Sequence, residues 1–203
     1  VWNTPVDTGI YNVAINITEW RNNIRIGNIV RDMQIDVYDT DNEPPVNDTL
    51  VDFCLVAGEK LTFQVRAIDP DGDSVYHSFT GGPLVMEKSP MRVDTSSFID
   101  GEAVSSLSWV TNCSHVRLQP YTLIVKATDN NSALSLVDID RMNIRVIAPP
   151  VEGLATFASN NSARLTWSIS TCTNASGYLV YRSNQLHTFD NDSCVTGIPD
   201  DSR

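Results

Sequence analysis

The side chains of this chain best suited to chemistry are acidic and amide groups gathered in two short runs. "DTDNEPP" carries Asp39, Asp41, Asn42 and Glu43, and "AIDPDGD" carries Asp69, Asp71 and Asp73. Their oxygens are hard ligands, and clustered at a domain junction they suit Ca²⁺, which takes about six to eight oxygens. The candidate metal ligands are therefore Asp39, Asp41, Asp69, Asp71 and Asp73. Three arguments weigh against them. D-x-D-G-D lacks the further positions and distal Glu of an EF-hand loop, and Asp-Pro-Asp-Gly forms a tight turn on its own terms. In a sandwich, moreover, a linker and a turn need not share an end. Spacing alone thus favours a plain acidic linker and turn. It predicts that stripping calcium moves the unfolding midpoint of residues 1–148 by only a few degrees.

Catalytic constellations are missing from the sequence. His77, His115 and His187 are the three histidines, and none sits in a nucleophile motif. No G-x-S-x-G, H-E-x-x-H or phosphate-cradling glycine loop occurs. The expectation is a protein without enzymatic activity and without an obligatory cofactor, calcium being the one candidate. Trp20 stands at a strand end before the polar run "RNNIRIGN". There it stacks on a sugar ring or covers the end of a sandwich. N-x-S/T triplets begin at Asn16, Asn47, Asn112, Asn130, Asn160, Asn174 and Asn191. They carry glycans in a eukaryotic secreted protein and idle in a bacterial one.

Bulk properties narrow the class. Of 203 residues 41% are hydrophobic, enough for packed cores. A net charge of −11 argues against an electrostatically bound nucleic acid or anionic membrane. No apolar run approaches the roughly 20 residues that span a bilayer. Cys54, Cys113, Cys172 and Cys194 form no C-x-x-C, so two disulfides and an extracytoplasmic setting are the natural reading. Four cysteines can pair in three ways. Pairing within structural units gives Cys54–Cys113 and Cys172–Cys194.

The elements that position these groups are strands. "IYNVAINIT", "KLTFQVRAID" and "YTLIVKATD" each alternate apolar and polar residues, the pattern of antiparallel sheets with one face on a core. "Y-x-V-x-I" at 11–15 matches "Y-x-L-x-V" at 121–125, and "RDMQIDV" at 31–37 matches "DRMNIRV" at 140–146. The offset of about 110 residues is the size of one β-sandwich. Asp7-x-Gly9-x-Tyr11 resembles the tyrosine corner of immunoglobulin-like sandwiches, whose Tyr hydroxyl bonds back to the chain. The expected fold is all-β, with tandem immunoglobulin-like and fibronectin III-like antiparallel sandwiches. Residues 1–43 read as the C-terminal part of one sandwich, or else as a hairpin packed on the next. Residues 44–148 read as a complete immunoglobulin-like or cadherin-like domain. Residues 149–203, with "ARLTWSIS" and "GYLVYRSN", resemble the start of a fibronectin type III domain with Trp167 in its core. The junction "IAPPVEG" has no acidic cluster, and its prolines stiffen it instead.

"ITEWRNNIRIGNIVRDMQI", "CLVAGEKLTFQVRAIDPDGD" and "NCSHVRLQPYTLIVKATDN" together resemble the extracellular repeats of very large Bacteroidota surface proteins. These are gliding-motility-associated proteins exported by type IX secretion. "DTDNEPP" is also similar to the acidic inter-domain linker of cadherins. The Bacteroidota resemblance implies an extracellular, cell-surface location and a role as spacer or stalk modules of an adhesin. Its implied partners are neighbouring domains of the same chain and the type IX secretion machinery, with a surface glycan or protein as a further one. It also implies O-linked glycans at Asp-Ser/Thr-apolar triplets, here Thr49 and Ser74. The alternatives are a directly adhesive module, or accessory modules of a secreted hydrolase.

Overall fold

The structure is a computed structural model, described for residues 7–95, 101–180, 182 and 194. Its chain divides into two compact units, Val1–Asn42 and Glu43–Arg203.

The first unit is a long hairpin of β1 (Gly9–Arg21) and β2 (Ile24–Val37). Asn22 and Asn23 both take positive φ, 49° and 60°, as a two-residue turn matching the strands' right-handed twist requires. Tyr11 donates its hydroxyl to the Asp7 carbonyl at 3.0 Å, the corner expected from the sequence. Alternation puts Tyr11, Val13, Ile15 and Ile17 on one face with Ile29, Met33 and Ile35 opposite. Ile15, Ile17 and Ile29 on that face are 46%, 54% and 63% exposed.

The second unit contains a sandwich of two four-stranded sheets. One sheet runs β3 (Val46–Asn47), β5 (Lys60–Ile68), β8 (Glu102–Val110), β7 (Arg92–Thr95). The other runs β4 (Phe53–Val56), β10 (Val137–Ile147), β9 (Tyr121–Asp129), β6 (Val75–Gly81). The chain thus switches sheets between β3 and β4. β3 pairs antiparallel with β5, and β4 pairs parallel with the last long strand, β10. This is the immunoglobulin-like arrangement.

Alternation predicts the core. Leu61, Val65 and Ala67 of β5 and Tyr121, Leu123, Val125 and Ala127 of β9 are all buried, as are Met142, Ile144 and Val146 of β10. Trp109 fills the centre, 1% exposed. Its indole N–H donates to the Ser89 carbonyl at 2.8 Å, and its ring meets Tyr121 edge-on at 5.3 Å. Tyr121 in turn donates to the His115 carbonyl at 2.9 Å, a second corner matching that of Tyr11. Gly81 is required where it stands. Its φ is 153°, and a Cβ there would run into the Thr122 carbonyl oxygen of the neighbouring strand.

Beyond β10 a short hairpin, β11 (Ala155–Ser159) and β12 (Ser162–Thr166), follows. Residues 177–180, which a fibronectin type III reading of "GYLVYRSN" would put in a strand, are not in one. Both disulfides differ from the expected pairs. Cys54 of β4 is bonded to Cys194, and Cys113 to Cys172. Pairing within units assumed that residues 149–203 stand apart from the sandwich. Instead Cys113, in the turn between β8 and β9, has its Cα 5.2 Å from that of Cys172, while Cys54 has Cys194 at 5.8 Å. Both distances lie in the range a disulfide bridges. The Asn174 side chain adds a hydrogen bond to the Cys113 carbonyl at 2.9 Å.

Candidate cation site at one end of the sandwich

Three carboxylates meet where β5 and β9 end and β6 begins. Asp69 directly follows β5, Asp73 precedes β6, and Asp129 is the last residue of β9. One oxygen from each lies within 4.8 Å of the others. The local chain explains how they are held. Asp69 Oδ1 accepts the backbone N–H groups of Asp71 and Asp73 at 3.0 and 3.1 Å, so the Asp-Pro-Asp-Gly turn folds around its own first carboxylate. Gly72 takes the positive φ, 84°, that the turn needs. The Asp69 N–H donates to the Gly101 carbonyl at 2.9 Å, tying the turn to the start of β8. On the other sheet, Asp129 Oδ1 accepts from the Leu136 and Asn131 N–H groups at 2.8 and 3.3 Å. Asp73 Oδ2 accepts from the Asn131 side-chain amide at 2.9 Å. The cluster therefore bridges the two sheets: Asp69 follows β5 of one, while Asp73 precedes β6 and Asp129 ends β9 of the other, where Val75 and Asp129 are register partners.

Burial makes the cluster unusual. Asp69 is 4% and Asp129 1% exposed, and carboxylates are almost never fully buried without partners. Asp69 Oδ2 has no hydrogen-bond partner among the described residues. An ionised carboxylate oxygen left so costs several kcal/mol in order-of-magnitude terms. A cation there would remove the deficit. Calcium bonds oxygens at about 2.3–2.6 Å, so oxygens on opposite sides of the ion stand up to about 5 Å apart. The 4.8 Å limit on this set fits that geometry, and the donors are the hard carboxylates calcium prefers.

Of the five ligands suggested by spacing, Asp69 and Asp73 come together. Asp71 is exposed, and its Oδ2 accepts the Glu43 N–H at 2.6 Å, securing the chain's entry to the second unit. Asp39 and Asp41 belong to the first unit. Asp129 was missed, although a signal exists in the sequence. "RAID" and "KATD" both close a strand with Ala-x-Asp, and the two strands end on the same side of the sandwich.

Other candidates have plainer roles. Trp20 is 62% exposed at the hairpin end, where the β1–β2 register shifts. His115 is wholly buried and accepts the Asn112 N–H at Nδ1, with Nε2 2.8 Å from the Lys88 carbonyl. His77 is buried, its Nδ1 2.9 Å from Ser105 Oγ and its Nε2 without a partner among the described residues. His187 lies outside the described residues. Thr49 is exposed and Ser74 half-buried. Asn47 is buried and donates its amide to Asp138 at 3.1 Å, which leaves that sequon no room for a glycan. Trp167 does meet Tyr178 edge-on at 5.3 Å, and the two line an open apolar groove of 590 Å³ with Leu154 and Leu165.

Burial pushes the His77 imidazole below its ordinary pKa. The unfolded chain then binds this proton more readily than the folded one. Stability is complete above pH of about 6.5 and falls as the pH drops from there through the folded-state value. Urea unfolding of wild type and His77→Gln at pH 7.5, 6.5 and 5.5 should show the loss in wild type and a shallower one in the variant. Parallel pH profiles would assign the slope to other groups.

No helix among the described residues is long and apolar enough to cross a membrane. No protein-family profile and no curated protein matches the chain. Solved structures align with parts of it. It is similar to the sialic acid binding region of the Streptococcus sanguinis SK1 adhesin, at 17% identity over 54% of this chain and 31% of that one, TM-score 0.42. The SrpA adhesin of Streptococcus sanguinis aligns at 16% identity over 55% and 60%, TM-score 0.42. Domains 4 and 5 of the S-layer protein SbsC align at 14% over 71% and 69%, TM-score 0.32. The chain spans less than two thirds of the two adhesin structures. By its own strands and their order, this chain is an all-β protein with an immunoglobulin-like sandwich.

Proposed function

We propose that the chain is a spacer segment of a large secreted bacterial cell-surface adhesin, with one end stiffened by calcium. The observation that carries this reading is the convergence of Asp69, Asp73 and Asp129 around an unpartnered, buried Asp69 oxygen. Buried carboxylates at a sandwich end support it, because an ion held there would lock β5, β6 and β9 together. The paired cysteines fit an oxidising, extracellular location. The resemblance to gliding-motility-associated, type IX-secreted proteins of Bacteroidota supplies the finer setting, and exposed Thr49 is the better placed of the two O-glycan candidates.

Thermal unfolding in EDTA and in calcium tests the site. Calcium at a hundred times its Kd adds about 2.7 kcal/mol, about 5–10 °C for a unit of this size. Asp129→Asn should abolish most of that increment. An equal midpoint with and without calcium would return the cluster to a plain turn. For the spacer role, glycan and protein arrays should give no binding. A ligand whose binding quenches Trp20 fluorescence would move the reading to a directly adhesive module.

A further inference from the structure

We infer that the Cys54–Cys194 disulfide is a load shunt, so that tension applied across this unit passes through a sulfur–sulfur bond and not through the sandwich. The bond joins residues 140 apart in sequence. Every strand from β5 to β12 lies inside the covalent loop it closes. Cys54 sits in β4, on the strand by which the chain joins the second sheet. Tension entering before Cys54 and leaving after Cys194 therefore meets a covalent bond in parallel with all those hydrogen bonds. Without it, the same tension would load the parallel β4–β10 pair in shear and, once that yields, unravel β5 to β8 in turn as far as Cys113. The inference rests on the spacer reading for its biological purpose, but the mechanical property belongs to the chain itself.

Elements outside the loop behave differently. In the β1–β2 hairpin, Gly9 and Val37 are register partners at the same end, so tension separates the pairs one at a time. β3 holds by two register pairs with β5. The segment before Cys54 is the compliant part, and the looped sandwich is the inextensible part. The second disulfide, Cys113–Cys172, is nested within the first. It hides its 59 residues from tension even when the outer bond is open.

Pulling the full, oxidised chain by handles at its two ends in a single-molecule force experiment tests the shunt. Oxidised wild type should lengthen only by the residues outside 54–194. Cys194→Ser should add the outer loop less the inner one, 140 less 59, or 81 residues, about 280 Å of contour. Full reduction should add the remaining 59 residues, about 200 Å. Cys113→Ala/Cys172→Ala keeps the outer bond and should extend no further than wild type. Long release from oxidised wild type, or no added release from Cys194→Ser, would overturn the inference. So would a peptide map of the oxidised protein without the Cys54–Cys194 link. The array and calcium experiments can fail while this one succeeds, so the spacer reading and the shunt stand or fall separately.

Discussion

Replacing Cys113 and Cys172 together with alanine is expected to lower the stability of the second unit by about 4 kcal/mol. The bond joins residues 59 apart, and in the chain-entropy picture closing a loop of that length restricts the unfolded ensemble by about this amount. Native contacts at the site should add to the cost, because Cys172 is only 3% exposed. The outer bond closes a longer loop, worth about 5 kcal/mol taken alone, but nesting makes the two effects less than additive. Equilibrium urea unfolding of the oxidised double variant beside wild type measures the difference. An unchanged midpoint with an unchanged slope would mean that the C-terminal segment contributes nothing to the fold of the sandwich.

Trp109→Ala should cost a similar amount, about 3–5 kcal/mol, the range for deleting a large buried aromatic side chain. Three effects act together. The ring is 1% exposed, so its removal opens a cavity at the centre of the sandwich. Its edge-on contact with Tyr121 disappears, which loosens the residue whose hydroxyl anchors the turn before β9. The Ser89 carbonyl also loses the indole N–H as its partner, and a polar group left unsatisfied by such a change costs about 1–3 kcal/mol if it stays dry. Trp109→Phe keeps most of the packing and loses the hydrogen bond, so it should fall between wild type and alanine. If phenylalanine and alanine cost the same, the hydrogen bond and not the cavity would dominate.

Strand positions and core identities were legible in the sequence because they depend on local geometry. A strand turns successive side chains to opposite faces, so Leu61, Val65, Leu123 and Val125 declare a buried face without reference to any partner. The Tyr11 corner was legible for a related reason, since it bonds within a few residues of its own strand, as Tyr121 also does. The Asn22–Asn23 turn follows equally from neighbours, because asparagine tolerates the positive φ that the hairpin needs.

Cysteine pairing was not local, and there the inference from nearby units failed. Sequence distance favoured Cys172 with Cys194, whereas folding puts Cys172 beside Cys113 and carries Cys194 to Cys54 on the first strand of the second sheet. The cation site shows the same division. Asp69 and Asp73 stand out as a turn motif, but Asp129 lies 56 or more residues further on and reaches them only because β9 pairs with β6. Asp71, with an equal claim by spacing, is instead held by the Glu43 N–H. By itself the sequence determined alternation, turns and corners, which are set within a few residues. Only the tertiary structure decided which carboxylates and which thiols meet, because sheet pairing joins positions that the chain keeps far apart.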